Sequence, residues 1–106
     1  MNDTEYHQLA DQTIFQIEEL LDELETETDI DYENAGGVLT LVFENKTQVI
    51  INKQPPVHEI WVAAKSGGFH LKYKDGAWQS STEELFSLLS RVCTEQAGET
   101  ITLSNK

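Results

Sequence analysis

No lysine or arginine occurs before Lys46, yet thirteen carboxylates occupy the same stretch: Asp3, Glu5, Asp11, Glu18, Glu19, Asp22, Glu23, Glu25, Glu27, Asp29, Asp31, Glu33 and Glu44. A segment with that balance repels nucleic acid and anionic lipid, so neither is expected as a partner. Cysteine is nearly absent as well. The single Cys93 excludes an intrachain disulfide and a cysteine-cluster metal site, and it fits a reducing cytoplasm. No apolar run approaches the roughly 20 residues that a bilayer span requires. The opening Met1-Asn2-Asp3-Thr4-Glu5 has no basic n-region, apolar h-region or Arg-rich amphipathic stretch, so no signal or transit peptide is read. Internal repeats, low-complexity tracts and linkers are missing. So are an EF-hand loop, HExxH, a two-His-one-carboxylate pattern, a Ser/His/Asp order, a Gly-rich phosphate loop and a basic nucleic-acid stripe.

What is present is enough for one core. The chain has 106 residues, 39% of them hydrophobic, with two Trp, three Tyr and four Phe. That describes one small domain over 1–106, not a disordered acidic tail. The net charge of -12 is concentrated at one end, because residues 46–106 carry seven basic and six acidic side chains. Such a field attracts cations or a basic partner surface.

Residues 4–25 read as an amphipathic helix. Tyr6, Ala10, Thr13, Ile17, Leu20, Leu21 and Leu24 recur at three- and four-residue steps. On the opposite face Asp11, Glu18 and Asp22 form a narrow stripe, with Glu19 and Glu23 beside it and His7 one turn before Asp11. Strands follow at 29–33, 38–44, 47–54, 59–64 and 69–73, with a short one around Trp78. Turns are expected at Asn34-Ala35-Gly36-Gly37, at Asn45-Lys46 (Asn tolerating positive φ), at Ser66-Gly67-Gly68 and at Lys74-Asp75-Gly76. Pro55-Pro56 ends the third strand, since neither residue can donate to a ladder. Ser81 and Glu84 have capping-box spacing before a second helix that runs to about Gln96. Its inner face is Leu85, Leu89, Val92 and Cys93, and Gly98 is its C-cap. Thr100 to Leu103 forms a short extended tail. The order predicts an α+β two-layer sandwich, with N- and C-terminal helices packed on one face of an antiparallel sheet. The other sheet face then meets solvent.

The acidic helix accepts local instability. Glu18/Asp22 and Glu19/Glu23 are like-charge pairs at i,i+4, each costing about 0.2–0.5 kcal/mol, with no compensating Lys in the stretch. Glu19, Asp22 and Glu23 also sit toward the helix C-terminus, where the dipole disfavours anions. One reading is a solvated face that keeps the protein soluble. Two features favour a function instead: the acids continue onto the alternating strand Asp29-Ile30-Asp31-Tyr32-Glu33, and no cation interrupts them. Carboxylates suit hard cations such as ferric, ferrous, manganous, calcium and magnesium ions, and His7 adds one nitrogen beside Asp11. An open site of this kind binds weakly, at micromolar dissociation constants or above. The same ridge serves equally for electrostatic docking of a basic protein.

Strand parity gives a second surface. If Ile60, Val62 and Ala64 face the helices, Trp61 and Ala63 face outward, together with Gln48, Ile50, Asn52, Gln54, His70 and Lys72. An exposed Trp among amides reads as a protein contact patch, the alternative being that Trp61 packs inward or beneath a loop. His58 and His70 read as ordinary surface or sheet histidines. Cys93 reads as packed and unreactive, and Trp78 as core or edge packing.

These residues together resemble the frataxin family. The likeness lies in the acidic first helix, in Asp29-Ile30-Asp31-Tyr32-Glu33 and in the segment Asn52-Lys53-Gln54-Pro55-Pro56-Val57-His58-Glu59-Ile60-Trp61. Ser66-Gly67-Gly68-Phe69-His70 and the strand around Trp78 extend it over essentially the whole chain. The resemblance implies a helix-sheet-helix sandwich that binds ferrous and ferric iron weakly. It implies a role in iron-sulfur cluster assembly with a cysteine desulfurase and its scaffold protein, as an iron-dependent regulator or an iron donor. Carried onto this chain, the iron ridge is His7, Asp11, Glu18, Glu19, Asp22, Glu23, Asp29, Asp31 and Glu33, and the partner surface is Asn52, Gln54 and Trp61. The expectation is a monomeric, cytoplasmic, non-enzymatic protein of the bacterial type, in which iron-induced oligomers are compatible with the family. A ferroxidase or iron-storage role, oxidising ferrous iron at paired carboxylates, is the alternative. Two departures stand out. Glu59 occupies a position where the family has Gln, which bears on the contact surface, and the C-terminal tail is short, which bears on any stability drawn from it.

Overall fold

The computed structural model describes residues 1–104. Helix α1 spans Asp3–Glu23. Six strands follow: β1 (Ile30–Ala35), β2 (Val38–Phe43), β3 (Gln48–Gln54), β4 (Glu59–Ala64), β5 (Gly67–Lys74) and β6 (Ala77–Gln79). A 3-10 turn, Pro55–Val57, separates β3 from β4, and helix α2 spans Leu85–Ala97. The strands form one antiparallel meander in the order β1-β2-β3-β4-β5-β6. The two helices cover one face of that sheet, giving the expected α+β sandwich.

Alternation in the strands supplies half of the core. Leu39, Leu41, Phe43, Val49, Ile51, Ile60, Val62 and Leu71 are buried on the helix side. The register aligns Leu39 with Ile51, Ile51 with Val62, and Ile60 with Leu71, so the apolar side chains form continuous rows. Tyr6, Ala10, Ile14, Ile17 and Leu21 of α1 pack onto them. Leu85, Leu89, Val92 and Cys93 of α2 are buried as the spacing predicts, joined by Phe86 and Leu88. Trp78 is in the core, where its indole N–H donates to Thr13 Oγ1 at 3.0 Å. Thr13 is therefore half-buried through a polar contact and is not part of the apolar face.

Several boundaries differ from the sequence reading for local reasons. Helix α1 begins earlier because Asn2 and Glu5 form a reciprocal capping box. It ends at Glu23, with Leu24 already extended. The expected Ser81/Glu84 box does not form. Glu84 is itself the N-cap of α2 and accepts from the Phe86 and Ser87 amides, while Ser80 accepts from the Thr82 and Glu83 amides. In the β2–β3 turn the positive φ falls on Lys46, not Asn45, whose side chain accepts from the Thr47 amide and hydroxyl. Gly98 caps α2 in the left-handed region, as expected. The short tail does contribute to packing. Ile101 and Leu103 are buried, and their backbones bond to the Thr94 and Ser90 hydroxyls of α2.

Candidate functional site

Helix α1 places its acids differently from a simple two-sided helix. Ile14 belongs to the buried face, and counting it turns that face toward Asp11, Glu18 and Asp22. The stripe therefore flanks the apolar face and does not oppose it. It runs alongside β1, and partners from the sheet reach it. Asn34 donates its amide to Glu18 at 3.2 Å, and Tyr32 donates its hydroxyl to Asp22 at 2.7 Å. That bond to an anion pushes the Tyr32 phenol pKa up. Glu19 and Glu23 lie on the solvent side of the same helix, both exposed.

The strand acids lie on the other side of the sheet edge. Ile30 and Tyr32 pack against the core, so the exposed Asp31 and Glu33 point to the face without helices. Asp29 precedes β1, and its amide donates to Glu44 at 3.1 Å. The carboxylate surface thus wraps around β1, an edge strand, with Tyr32 and Asn34 linking strand and helix. Among the described residues, no three His, Cys, Asp or Glu side chains converge into a preformed metal cage. The arrangement offers dispersed, hydrated oxygen ligands, suited to hard cations held through few protein bonds.

One acid is already engaged. Lys53 Nζ lies 2.6 Å from Asp11 Oδ1, although no cation is close in sequence. By β3 parity Lys53 points to the helix side, and its amide donates to the Gly37 carbonyl at 3.2 Å. Gly37 suits this position by its backbone, and a side chain there would crowd the Lys53 stem. Its φ is +84°, and a Cβ would lie 3.3 Å from Lys53 Cδ. An open cleft of about 590 Å³ beside this pair is lined by His7, Asp11, Phe15, Glu18, Asn34 and Lys53. Phe15 is 61% exposed there, and sequence periodicity gave no sign of it. His7 is half-buried and meets the Tyr6 ring edge-on.

The start of α1 carries a second tether. The His58 imidazole donates to Asp3 at 2.7 Å and stacks on Tyr6. This bond holds the Asp3 carboxyl pKa below its ordinary value. His58 is therefore more than an ordinary surface histidine. Tyr6 donates its hydroxyl to the Glu59 carbonyl at 2.7 Å, and burial raises its pKa.

The helix-free face of the sheet is as parity predicts. Trp61 is half-buried on that face, aligned with Asn52 on β3 and His70 on β5. The indole and the His70 imidazole stack at 4.1 Å with 7° between planes. Gln54 aligns with Glu59, next to this row. Glu59 is only 9% exposed, and it accepts the Trp61 indole N–H at 2.7 Å while Lys72 lies 3.7 Å away. It thus fixes the indole in plane, a role the sequence did not reveal. Cys93 is buried and its thiol pKa is pushed up to about 12, so it is not a nucleophile at neutral pH. No helix among the described residues is long and apolar enough to cross a membrane.

The frataxin-like domain model matches residues 1–99. A frataxin from Psychromonas ingrahamii, studied for stability modulation within the CyaY protein family, is 40% identical over 99% of this chain and 100% of its own, with a TM-score of 0.88. Yeast frataxin is 28% identical over 87% of this chain and 80% of its own, with a TM-score of 0.72. A trimeric frataxin from Saccharomyces cerevisiae, complexed with ferrous iron, is 28% identical over 90% of this chain and 87% of its own, with a TM-score of 0.65. This chain belongs to the frataxin family.

Proposed function

We propose that this protein binds iron weakly along the α1–β1 carboxylate surface and acts in iron-sulfur cluster assembly, as an iron-dependent regulator of a cysteine desulfurase and its scaffold protein. The observation that carries the reading is the one-sided surface itself. Glu18, Glu19, Asp22 and Glu23 on α1 and Asp31 and Glu33 on β1 gather around one sheet edge, in a chain of the frataxin family. A yeast relative complexed with ferrous iron supports iron as the cation. Ferric iron and other hard cations fit the same oxygen donors.

The surface works in two ways at once. Its field steers a basic patch of the desulfurase toward α1, an effect that weakens as salt rises. Iron bound among the same carboxylates neutralises part of that field and alters the docking. Trp61, Asn52 and Gln54 on the helix-free sheet face, the face to which Asp31 and Glu33 also point, supply a second contact, for the scaffold or the desulfurase, with Trp61 as the aromatic anchor. The protein is taken to act in the cytoplasm as a monomer, with iron-driven oligomers at high loading. Trimeric yeast relatives, one of them complexed with ferrous iron, are the precedent for oligomers in the family. A ferroxidase needs carboxylates converged on neighbouring metal ions, and the dispersed donors favour a binding role over turnover. Saturable dioxygen consumption with ferrous iron would overturn that preference.

The test is the initial rate of cluster formation in a reconstituted desulfurase-scaffold system at two iron levels. The intact protein should change the rate in an iron-dependent way. A variant with Glu18, Glu19, Asp22 and Glu23 changed to Lys should not. An unchanged rate with the intact protein would remove the regulatory reading.

A further inference from the structure

The carboxylate surface is not uniformly open, because one of its acids is held by a cation of the chain itself. We propose that Lys53 is a built-in competitor for cations, so that the His7–Asp11 end of the surface loads last and the Glu18–Asp22 end loads first. This inference rests on the reading that the surface takes hard cations. It adds the order in which the surface fills and the residue that sets it.

The geometry of Lys53 differs from that of a surface lysine. Its side chain is 13% exposed, whereas that of its partner Asp11 is 63% exposed. The stem runs beside Gly37, and the backbone is fixed by the bond to the Gly37 carbonyl. The ammonium is therefore delivered to Asp11 by a short, restrained path, at 2.6 Å. Restraint lowers the entropy lost in pairing, which is what makes most exposed lysine pairs weak. A cation arriving at Asp11 must either displace this ammonium or sit beside it. Displacement leaves the ammonium of a restrained, 13% exposed side chain without its carboxylate, and co-residence places like charges together.

The Glu18–Asp22 end carries no such obstacle. Glu18 and Asp22 are partnered by the Asn34 amide and the Tyr32 hydroxyl, neutral donors that leave the carboxylate charge intact. Glu19 is exposed on the solvent side of α1. The same helix thus offers two classes of acid, distinguished by the charge of the group that reaches them from the sheet. Lys53 also contributes to specificity. It keeps His7, the one nitrogen ligand of the surface, out of the first-filled region, which leaves an all-oxygen donor set that suits hard cations.

The experiment is a calcium titration followed by side-chain carboxyl ¹³C shifts, comparing the intact protein with Lys53→Met and Lys53→Arg. In the intact protein Glu18, Glu19 and Asp22 should respond at lower calcium than Asp11. In Lys53→Met the Asp11 response should move to about thirtyfold lower calcium, the factor for removing one unit charge about 4 Å from a divalent ion in water-like surroundings. Lys53→Arg keeps the charge and should retain the original order. Core amides of Leu89 and Val92 report that each variant is folded. If Asp11 already responds together with Glu19 in the intact protein, or if Lys53→Met leaves it unmoved while the other acids titrate, the inference fails. If no carboxyl responds in any of the three proteins, the cation-surface reading fails instead.

Discussion

The two helices lie on the same sheet face and are built to opposite ends. Helix α2 has 13 residues and buries Leu85, Phe86, Leu88, Leu89, Val92, Cys93 and Gln96. Helix α1 has 21 residues and buries only Tyr6, Ala10, Ile14, Ile17 and Leu21. Both are capped at the N-terminus. Only α2 is well finished at the other end, where Gly98 caps it, and only α2 carries a Lys or Arg within its own span. Arg91 bonds Glu83 at 2.6 Å and Glu95 at 3.4 Å, the latter at i,i+4. Gln96 further locks its C-terminal turn, reaching Thr47, Gln48 and the Lys65 amide. The last turn of α1 carries Asp22 and Glu23 and no basic residue. So α2 supplies stability, and α1 gives some up to hold charge in one place.

The sharpest way to break that contrast is in the core of α2. Leu89→Ala should cost about 2–5 kcal/mol, read by denaturant unfolding, because the side chain is fully buried among apolar neighbours. A loss no greater than that of an α1 surface change would refute the division of labour.

A smaller effect is expected where α1 is tied to the sheet. Asp11→Ala leaves the Lys53 ammonium, on a side chain only 13% exposed, without its carboxylate and should cost about 1–3 kcal/mol. Lys53→Met, which replaces the charge with an apolar chain of similar length, should cost under about 1 kcal/mol. Equal costs in urea unfolding would show that Lys53 is solvated after all.

The helix-free face sets a third limit. Trp61→Ala should weaken partner binding by at least about tenfold, as expected of an aromatic anchor. The indole is half-buried on a solvent face, so the melting temperature should fall far less than for Leu89→Ala. Unfolding of the variant, or unchanged binding by calorimetry, would remove Trp61 from the contact surface.

The Asp3–His58 tether gives a pH dependence. The folded Asp3 pKa is lowered from its ordinary 3.8, mainly by the bond from His58. Its contribution to stability is therefore complete above that value and is lost as pH falls through the lower folded value. Melting curves of the intact protein and Asp3→Asn should differ near neutral pH and converge on acidification to well below 3.8. A difference that grows on acidification would reverse the sign.

Much of this was legible in the chain because it is periodic. Two-residue alternation identified the buried rows of β2, β3 and β4 and the outward Trp61. The acids of α1 and β1 needed only counting. What was missed depends on residues far apart in sequence. The Lys53–Asp11 pair spans 42 positions, and His58–Asp3 spans 55. Neither leaves a local pattern. Weighting the face toward Thr13, Leu20 and Leu24 beside Tyr6, Ala10, Ile17 and Leu21, while omitting Ile14, rotated α1 by a fraction of a turn, and this placed the acid stripe opposite the sheet when it flanks it. The Asn2–Glu5 capping box did have a legible signal, in its i,i+3 spacing. Glu59 looked like a change at the contact surface, and its bond to the Trp61 indole became visible only with β4 in place.

Anaerobic thermal unfolding with and without ferrous iron decides whether α1 gives up stability to create a cation surface. The intact protein should melt at a higher temperature with iron, since a cation bound only to the folded state stabilises it. The variant with Glu18, Glu19 and Glu23 changed to Gln and Asp22 to Asn, which removes the like-charge pairs and keeps acceptor oxygens for Asn34 and Tyr32, should start from a higher melting temperature, and iron should not move it. An equal iron shift in both proteins, or a variant that melts lower than the intact chain without iron, would contradict the account.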